Sequence, residues 1–66
     1  MMNLGILNSV IEEARRVWKD KNDFDIIDPS DIKLEGVSPH DVFSILWNHG
    51  MIYEKRIGVY GYIKDD

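Results

Sequence analysis

The residue types best suited to binding chemistry are concentrated in one short run, "GMIYEKRIGVYGYI", which spans Gly50 to Ile63. Lys55 and Arg56 are adjacent there, and all three tyrosines of the chain lie in the same run. Basic side chains beside aromatic rings can hold a phosphate and stack on an unpaired base. Residues 51–64 carry three cations against Glu54, a local net charge of +2 in a chain of −4. The run therefore predicts weak nucleic-acid contact, with Lys55, Arg56 and Lys64 as its candidate residues.

The same run also has a purely structural interpretation. Tyr53 and Tyr62 would cover a hydrophobic core, because an alternating pattern buries one face of a strand. Lys55 and Arg56 would then keep an exposed hairpin soluble and discourage pairing with other strands. Both interpretations fit the pattern of residue types.

The run "VSPHDVFSILWNHG" supplies a second candidate surface, because it has the pattern of an amphipathic helix. A wheel of about 100° per residue places an apolar side inward, formed by Val42, Ile45, Leu46 and His49. The outer side and its edges hold His40, Asp41, Ser44, Trp47 and Asn48. Guanine is most often read by Arg or Lys, and this set has neither, while Asp41 repels phosphate. Only Ser44 and Asn48 remain as candidates for hydrogen bonds to DNA bases.

Aromatic side chains form an edge on the same predicted helix. Phe43 and Trp47 are four positions apart, with His40 beside them. One interpretation packs this edge against the first helix, near Trp18. The other leaves Trp47 partly exposed as an anchor for a partner protein, since Trp is enriched at binding hot spots. His40, Phe43 and Trp47 are accordingly the candidate residues for protein interaction.

Residue patterns for catalysis or metal binding do not emerge. The chain has no cysteine and two histidines, and no Ser, His and Asp arrangement has a spacing that supports catalysis. His49 precedes the helix-stopping Gly50, where a cation suits the helix dipole. The carboxylates of residues 23–35 lack the spacing of a calcium loop. We predict no catalytic residue, no metal, no cofactor, no small-molecule substrate and no enzymatic activity.

Composition limits the class of protein. A chain of 66 residues with 44% hydrophobic residues predicts one small domain over 1–66, with marginal stability. The net charge of −4 argues against a strong non-specific nucleic-acid binder. The N-terminal run lacks the pattern of a signal peptide, and no apolar run reaches about 20 residues. We therefore expect a cytoplasmic domain with no membrane contact.

Periodicity and capping residues predict the elements that position these surfaces. Apolar residues recur at helical spacing from Leu4 to Trp18, which predicts a first helix over about 4–20. The β-type residues after it predict a short strand over about 24–27. Asp28 and Pro29 predict the start of a second helix over about 29–35, with Gly36 as its end. Ser38 and Pro39 repeat that signal for a third helix over about 39–49. Gly58 then predicts the turn of a hairpin over about 51–64.

The order of these elements predicts a fold. Two helices joined by a tight turn that contains glycine form a helix-turn-helix arrangement. A C-terminal hairpin and a short third strand complete the plan of a winged helix. The predicted class is therefore α+β, a winged helix-turn-helix with three helices, a β-hairpin wing and a short third strand.

The end of the chain resembles a known family. The runs Gly50-Met51-Ile52-Tyr53-Glu54 and Gly58-Val59-Tyr60 are similar to the "G-x-I-Y-E … G-x-Y" ending of the C-terminal winged-helix module of archaeal minichromosome maintenance (MCM) helicases. The resemblance covers roughly residues 30–63. The stretch after Glu54 lacks the proline expected there, and no "GxxxxGK[ST]" run is present to hold ATP.

The resemblance implies a non-catalytic winged-helix module of DNA replication or transcription, or a related free-standing archaeal winged-helix protein. Such a module would act through contact with a protein partner and through weak DNA contact. The alternative is a free-standing DNA-binding transcriptional regulator that dimerises through its first helix and grips DNA with the wing.

Overall fold

The computed structural model describes residues 4–22 and 24–64. In chain order these contain helix α1 (Leu4–Val17), a 3₁₀ turn (Pro29–Asp31), helix α2 (Pro39–Asn48), strand β1 (Ile52–Arg56) and strand β2 (Val59–Tyr62). The α+β class is confirmed, with two α-helices and one antiparallel hairpin in the described part of the chain. The arrangement is compatible with a small winged-helix-like fold, although the three predicted helices are not shown.

Helix α1 buries a narrower stripe than its apolar residues suggest. Val10 and Ala14 are fully buried, and Trp18 follows in the same four-residue spacing, just beyond the end of the helix. Leu4 is 71% exposed, so the buried stripe starts well inside the helix. The predicted end at residue 20 is three residues late, because residues 18–20 form a turn. In this turn, the Trp18 N–H still donates a helical hydrogen bond to the Ala14 carbonyl at 2.9 Å.

The second predicted helix, over 29–35, is replaced by a single 3₁₀ turn. Asp28 caps this turn as predicted, because its carboxylate accepts hydrogen bonds from the Ser30 N–H at 3.0 Å and from the Ser30 hydroxyl at 2.8 Å. Ile32 then adopts an extended conformation, with φ −87° and ψ 104°. Ile32 is buried and Leu34 packs against the core. Two residues apart on a helix point to nearly opposite sides, so only an extended chain turns both inward.

The strand predicted over 24–27 is reduced to one bridge. Ile27 pairs with Tyr60 of β2, and its N–H donates to the Tyr60 carbonyl at 3.0 Å. The preceding residues turn instead, because the Asn22 side chain accepts a hydrogen bond from the Phe24 N–H at 2.9 Å. Phe24 is 92% exposed as a result. Polar side chains that bond to nearby backbone groups compete with strand pairing in this way.

Local signals set both ends of α2. The Ser38 hydroxyl accepts a hydrogen bond from the Asp41 N–H at 3.1 Å, and Pro39 opens the helix. At the other end Gly50 has a φ of +66°, a conformation that costs a residue with a side chain about 1–2 kcal/mol. Its N–H donates to the Trp47 carbonyl at 3.1 Å, and the Met51 N–H donates to the Leu46 carbonyl at 3.0 Å. This pair of bonds is a Schellman motif, which leads the chain directly into β1.

The hairpin has a defined register. Ile52 pairs with Tyr62 and Glu54 pairs with Tyr60, with an irregularity between Glu54 and Arg56. Gly58 makes the turn with a φ of +77°, as predicted. Because side chains of paired residues point to the same face, Ile52 and Tyr62 both face the core.

The core lies where the hairpin covers the two helices. It is built from the buried side chains of Val10, Ala14, Trp18, Ile27, Ile32, Val42, Ile45, Leu46, Met51, Ile52 and Tyr62. Val42, Ile45 and Leu46 were predicted to face inward, and they do. Within residues 4–22 and 24–64, neither helix is long and apolar enough to cross a membrane.

Candidate functional site

Three aromatic rings from two elements form one continuous surface, which we call the aromatic face: Phe43 and Trp47 of α2, and Tyr60 of β2. The Phe43 and Trp47 rings are stacked, with centroids 5.8 Å apart and planes 17° apart. The Tyr60 ring meets both edge-on, with centroids 5.2 Å from Phe43 and 6.5 Å from Trp47. These separations and angles are those of favourable aromatic pairs.

The aromatic face depends on three local features of the chain. Phe43 and Trp47 are four residues apart, so one helix face presents both rings. The Ile27 bridge and the pairing with Glu54 hold Tyr60 in the middle of the sheet. Phe43 and Tyr60 are half-buried against the core, whereas Trp47 is 46% exposed. The core therefore supports the Phe43 and Tyr60 rings of the aromatic face, while the Trp47 ring is open to solvent.

Phe43 packs against the core that contains Trp18, but Trp18 is not a ring partner of Phe43 or Trp47 among the described residues. The aromatic neighbour of Trp18 is Tyr62, with ring centroids 5.3 Å apart. Phe43 and Trp47 pair instead with Tyr60, which no spacing along α2 could have indicated. Tyr60 is thus a member of the surface that sequence reasoning missed.

The rest of the outer side of α2 is close to its predicted arrangement. His40 and Asn48 are exposed, and Ser44 is half-buried. His49 was predicted to face inward and is exposed, because it follows the last residue of α2 as its C-cap and no longer obeys the helical wheel. Lys and Arg are absent from the sequence of α2, so its surface offers little attraction for phosphate.

On the outer face of the hairpin, the side chains of Tyr53 and Lys55 pass close to Gly61. A Cβ atom at Gly61 would lie 2.7 Å from Cε1 of Tyr53 and 2.6 Å from Cε of Lys55. The Tyr53 ring therefore lies across the glycine rather than in the core, contrary to the structural interpretation of this residue. The Lys55 ammonium is 5.7 Å from the centroid of the same ring, within cation–π range.

Only two of the three predicted hairpin cations lie near the turn. Arg56 is exposed beside Ile57, which is 96% exposed at the tip. Lys64 follows β2 at the opposite end of the hairpin, where its ammonium donates to the Lys19 carbonyl at 3.0 Å. Near the turn, Glu54 accepts a hydrogen bond from the Gly58 N–H at 3.2 Å, which places a carboxylate among the cations. Lys64, the third candidate for DNA contact, therefore lies apart from Lys55 and Arg56.

The carboxyl groups with altered pKa values lie outside these surfaces. Hydrogen bonds from Ser30 lower the pKa of Asp28, first through the backbone N–H and then through the hydroxyl. The Arg16 side chain lowers the pKa of Glu13, mainly through hydrogen bonds at 2.8 Å. Both groups have structural roles. Among the residues that the structure describes, no group of three His, Cys, Asp or Glu side chains could hold a metal ion.

The surfaces thus comprise an aromatic face with one open ring and a separate hairpin tip with Lys55, Arg56 and Ile57. The geometry of the aromatic face suits non-covalent binding of an apolar side chain. The geometry of the hairpin tip suits contact with the phosphate backbone of a nucleic acid. No protein-family model, curated protein or solved structure matches the chain.

Proposed function

We propose that this chain is a reduced winged-helix module that recognises a protein partner through the aromatic face. In this proposal β1 and β2 form the wing and Ile27 marks the third strand, while the 3₁₀ turn stands in place of the helix before α2. The bridge between Ile27 and Tyr60 supports this assignment, because it joins the segment before α2 to the hairpin. A DNA-replication or transcription setting in the cytoplasm belongs to the same proposal and rests on the resemblance to MCM modules.

The exposure of Trp47 carries the functional part of the proposal. Its ring is 46% exposed although it stacks on Phe43 and meets the edge of Tyr60. Those neighbours hold the indole in place, so a partner would lose little side-chain entropy by binding it. Rigid Trp and Tyr side chains on a supported surface are typical of binding hot spots.

Charge around the aromatic face indicates the chemistry of the partner. Glu54 is exposed and pairs with Tyr60 across the hairpin, on the same face of the sheet. The whole chain has a net charge of −4. A partner segment with an aliphatic or proline side chain next to a Lys or Arg would complement both features.

The test is a comparison of captured partners. Wild-type protein, Trp47→Ala and Phe24→Ala are immobilised and exposed to protein from the source cells, and bound chains are identified by mass spectrometry. Phe24 is the matched control, because it is an aromatic residue with 92% exposure and takes no part in the described ring pairs. We expect one or more partners retained by wild type and Phe24→Ala and lost from Trp47→Ala. Equal capture by all three proteins would contradict the proposal.

The hairpin tip supports a second candidate function, weak DNA contact within a module or in a free-standing regulator. Lys55 lies on Tyr53 and Arg56 is exposed, which together offer a phosphate contact and an aromatic surface for a base. Glu54 reduces the local attraction, and Lys64 lies at the other end of the hairpin. These features favour weak contact over a strong grip.

Salt-dependent binding distinguishes this second function from the first. A regulator should bind duplex DNA at about micromolar affinity, and log affinity should fall steeply with log salt. Lys55→Glu with Arg56→Glu should abolish that binding. Lys33→Glu, at an exposed lysine on the segment after the 3₁₀ turn, should reduce it only slightly. Absence of binding at low salt would rule out the regulator.

A further inference from the structure

A cleft that the proposed function does not use opens between the end of α1 and the start of the hairpin. Its volume is about 230 Å³. The lining residues come from α1, from the end of α2, and from the residues just before β1 and just after β2. They are Ile11, Arg15, His49, Gly50, Met51, Ile63 and Lys64. None of these residues belongs to the aromatic face.

The lining combines two kinds of chemistry. Ile11, Met51 and Ile63 supply an apolar wall, and Met51 is the most buried of them at 7% exposure. Arg15, His49 and Lys64 supply side-chain nitrogen atoms. Carboxylates are absent from the lining among the described residues. A ligand that matches this lining would have a negative group and a short apolar body.

Backbone hydrogen bonds reduce an obstacle to an anion near the end of α2. The C-terminal end of a helix normally presents unpaired carbonyl groups and a partial negative charge. In α2 the carbonyls of Ile45, Leu46 and Trp47 accept hydrogen bonds from the N–H groups of His49, Met51 and Gly50. Three carbonyls at the end of α2 are therefore paired, and so is the Met51 carbonyl in the lining, which accepts from the Ile63 N–H.

The cationic side of the cleft is anchored. The Lys64 ammonium donates to the Lys19 carbonyl at 3.0 Å, which holds the charge beside the end of α1. The Ile63 N–H donates to the Met51 carbonyl at 2.9 Å, which joins the residue before β1 to the residue after β2. Arg15 lies one helical turn beyond Ile11, so the two face the cleft from the same side of α1.

We propose that this cleft binds a carboxylate that carries a branched aliphatic group. Arg15 and Lys64 would contact the carboxylate, and Ile11, Met51 and Ile63 would contact the aliphatic part. The volume is below the roughly 300–1,000 Å³ of sites for drug-sized ligands, so the ligand is a small acid or a single terminal residue. The shared chemistry occurs in a free branched-chain acid and in the C-terminal residue of a peptide.

The test is a titration of the ¹⁵N-labelled protein followed by NMR, with N-acetyl-leucine as the probe. We expect a dissociation constant on the order of a millimolar for a ligand of this size. Amide shifts should concentrate at Ile11, Gly50, Met51 and Ile63. N-acetyl-leucinamide lacks the charge and inorganic phosphate lacks the apolar body, so each should bind about tenfold more weakly or not at all.

Variants of the protein provide the matched comparison. Arg15→Gln with Lys64→Gln should weaken binding of N-acetyl-leucine about tenfold. Arg16→Gln should leave it within about twofold, because the Arg16 side chain is held by Glu13 at 2.8 Å and does not line the cleft.

The source of the carboxylate is read from one further probe, 4-methylpentanoate. Tighter binding of this acid would support a free branched-chain acid, and tighter binding of N-acetyl-leucine would support a peptide terminus. Equal affinity for N-acetyl-leucine and its amide would overturn the proposal. Shifts scattered over the surface, or an equal loss in Arg16→Gln, would overturn it as well.

Discussion

Replacement of Trp47 by alanine should cost less stability than replacement of its neighbour Leu46. Leu46 is fully buried in the core, and Leu→Ala at such sites costs about 3–5 kcal/mol. A fully buried Trp→Ala costs a similar amount. Trp47 is 46% exposed, so only about half of that loss applies, about 1.5–2.5 kcal/mol. Because Leu46 and Trp47 are adjacent in the chain, comparing the two variants shows whether Trp47 acts as a surface residue or as a core residue.

The consequence depends on the total stability of so small a domain. For 66 residues it is roughly 3–10 kcal/mol. Trp47→Ala should therefore remain mostly folded across this range, while Leu46→Ala should lose more stability and be partly unfolded without denaturant if the total lies at the lower end of the range. Urea unfolding followed by far-UV circular dichroism measures both. With a slope of about 1 kcal/mol per molar urea, the midpoint of Trp47→Ala should fall by about 1.5–2.5 M.

A built-in reporter allows an independent check. The chain has two tryptophans, so Trp18 is the only one left in Trp47→Ala. Trp18 is 1% exposed and lies against Tyr62, and its fluorescence should keep the spectrum of a buried indole in the folded variant. If Trp47→Ala were as destabilising as Leu46→Ala, Trp47 would be a core residue and the reasoning behind the aromatic face would be refuted.

Three other predictions follow from separate features. Gly61→Ala should displace the Tyr53 ring and the end of the Lys55 side chain, because the new Cβ would lie 2.7 Å from Cε1 of Tyr53 and 2.6 Å from Cε of Lys55. Side-chain NMR shifts of Tyr53 and Lys55 measure this, and unchanged shifts would contradict it. Acid should weaken the fold through Asp28, whose folded-state pKa lies below the ordinary 3.8. Its contribution is complete above that ordinary value and is lost as pH falls through the lowered pKa. Urea midpoints across acid pH should therefore fall more in wild type than in Asp28→Asn, and parallel curves would contradict this. Duplex DNA at low salt should shift NMR signals of Lys55 and Arg56 without shifting those of α2, and the reverse pattern would make α2 the reading helix.

Much of the fold could be predicted because strong local signals mark its elements. Ser38 and Pro39 start α2, while Gly50 and Gly58 adopt the positive φ values that their turns need. The segment after Asp28 was harder, because the same capping signal serves a 3₁₀ turn and a helix. The two-residue spacing of Ile32 and Leu34 was the available sign of an extended chain.

The candidate surfaces were predicted less completely, since they depend on contacts between distant parts of the chain. The partner of Phe43 and Trp47 is Tyr60, which is placed by its bridge to Ile27. Lys64 is near Lys55 in sequence, but the hairpin register separates them. The strand register and the tertiary packing determine which of these side chains lie close together. Local residue patterns do not predict either one.

The most direct measurement of the central claim is calorimetric titration of a captured partner against wild type, Trp47→Ala and Phe24→Ala. Loss of a hot-spot tryptophan costs about 2 kcal/mol or more, so Trp47→Ala should bind roughly 30-fold more weakly. Phe24→Ala should bind within about twofold of wild type. If all three proteins bound with the same affinity, the partner would contact another surface and the aromatic face would not be the recognition site.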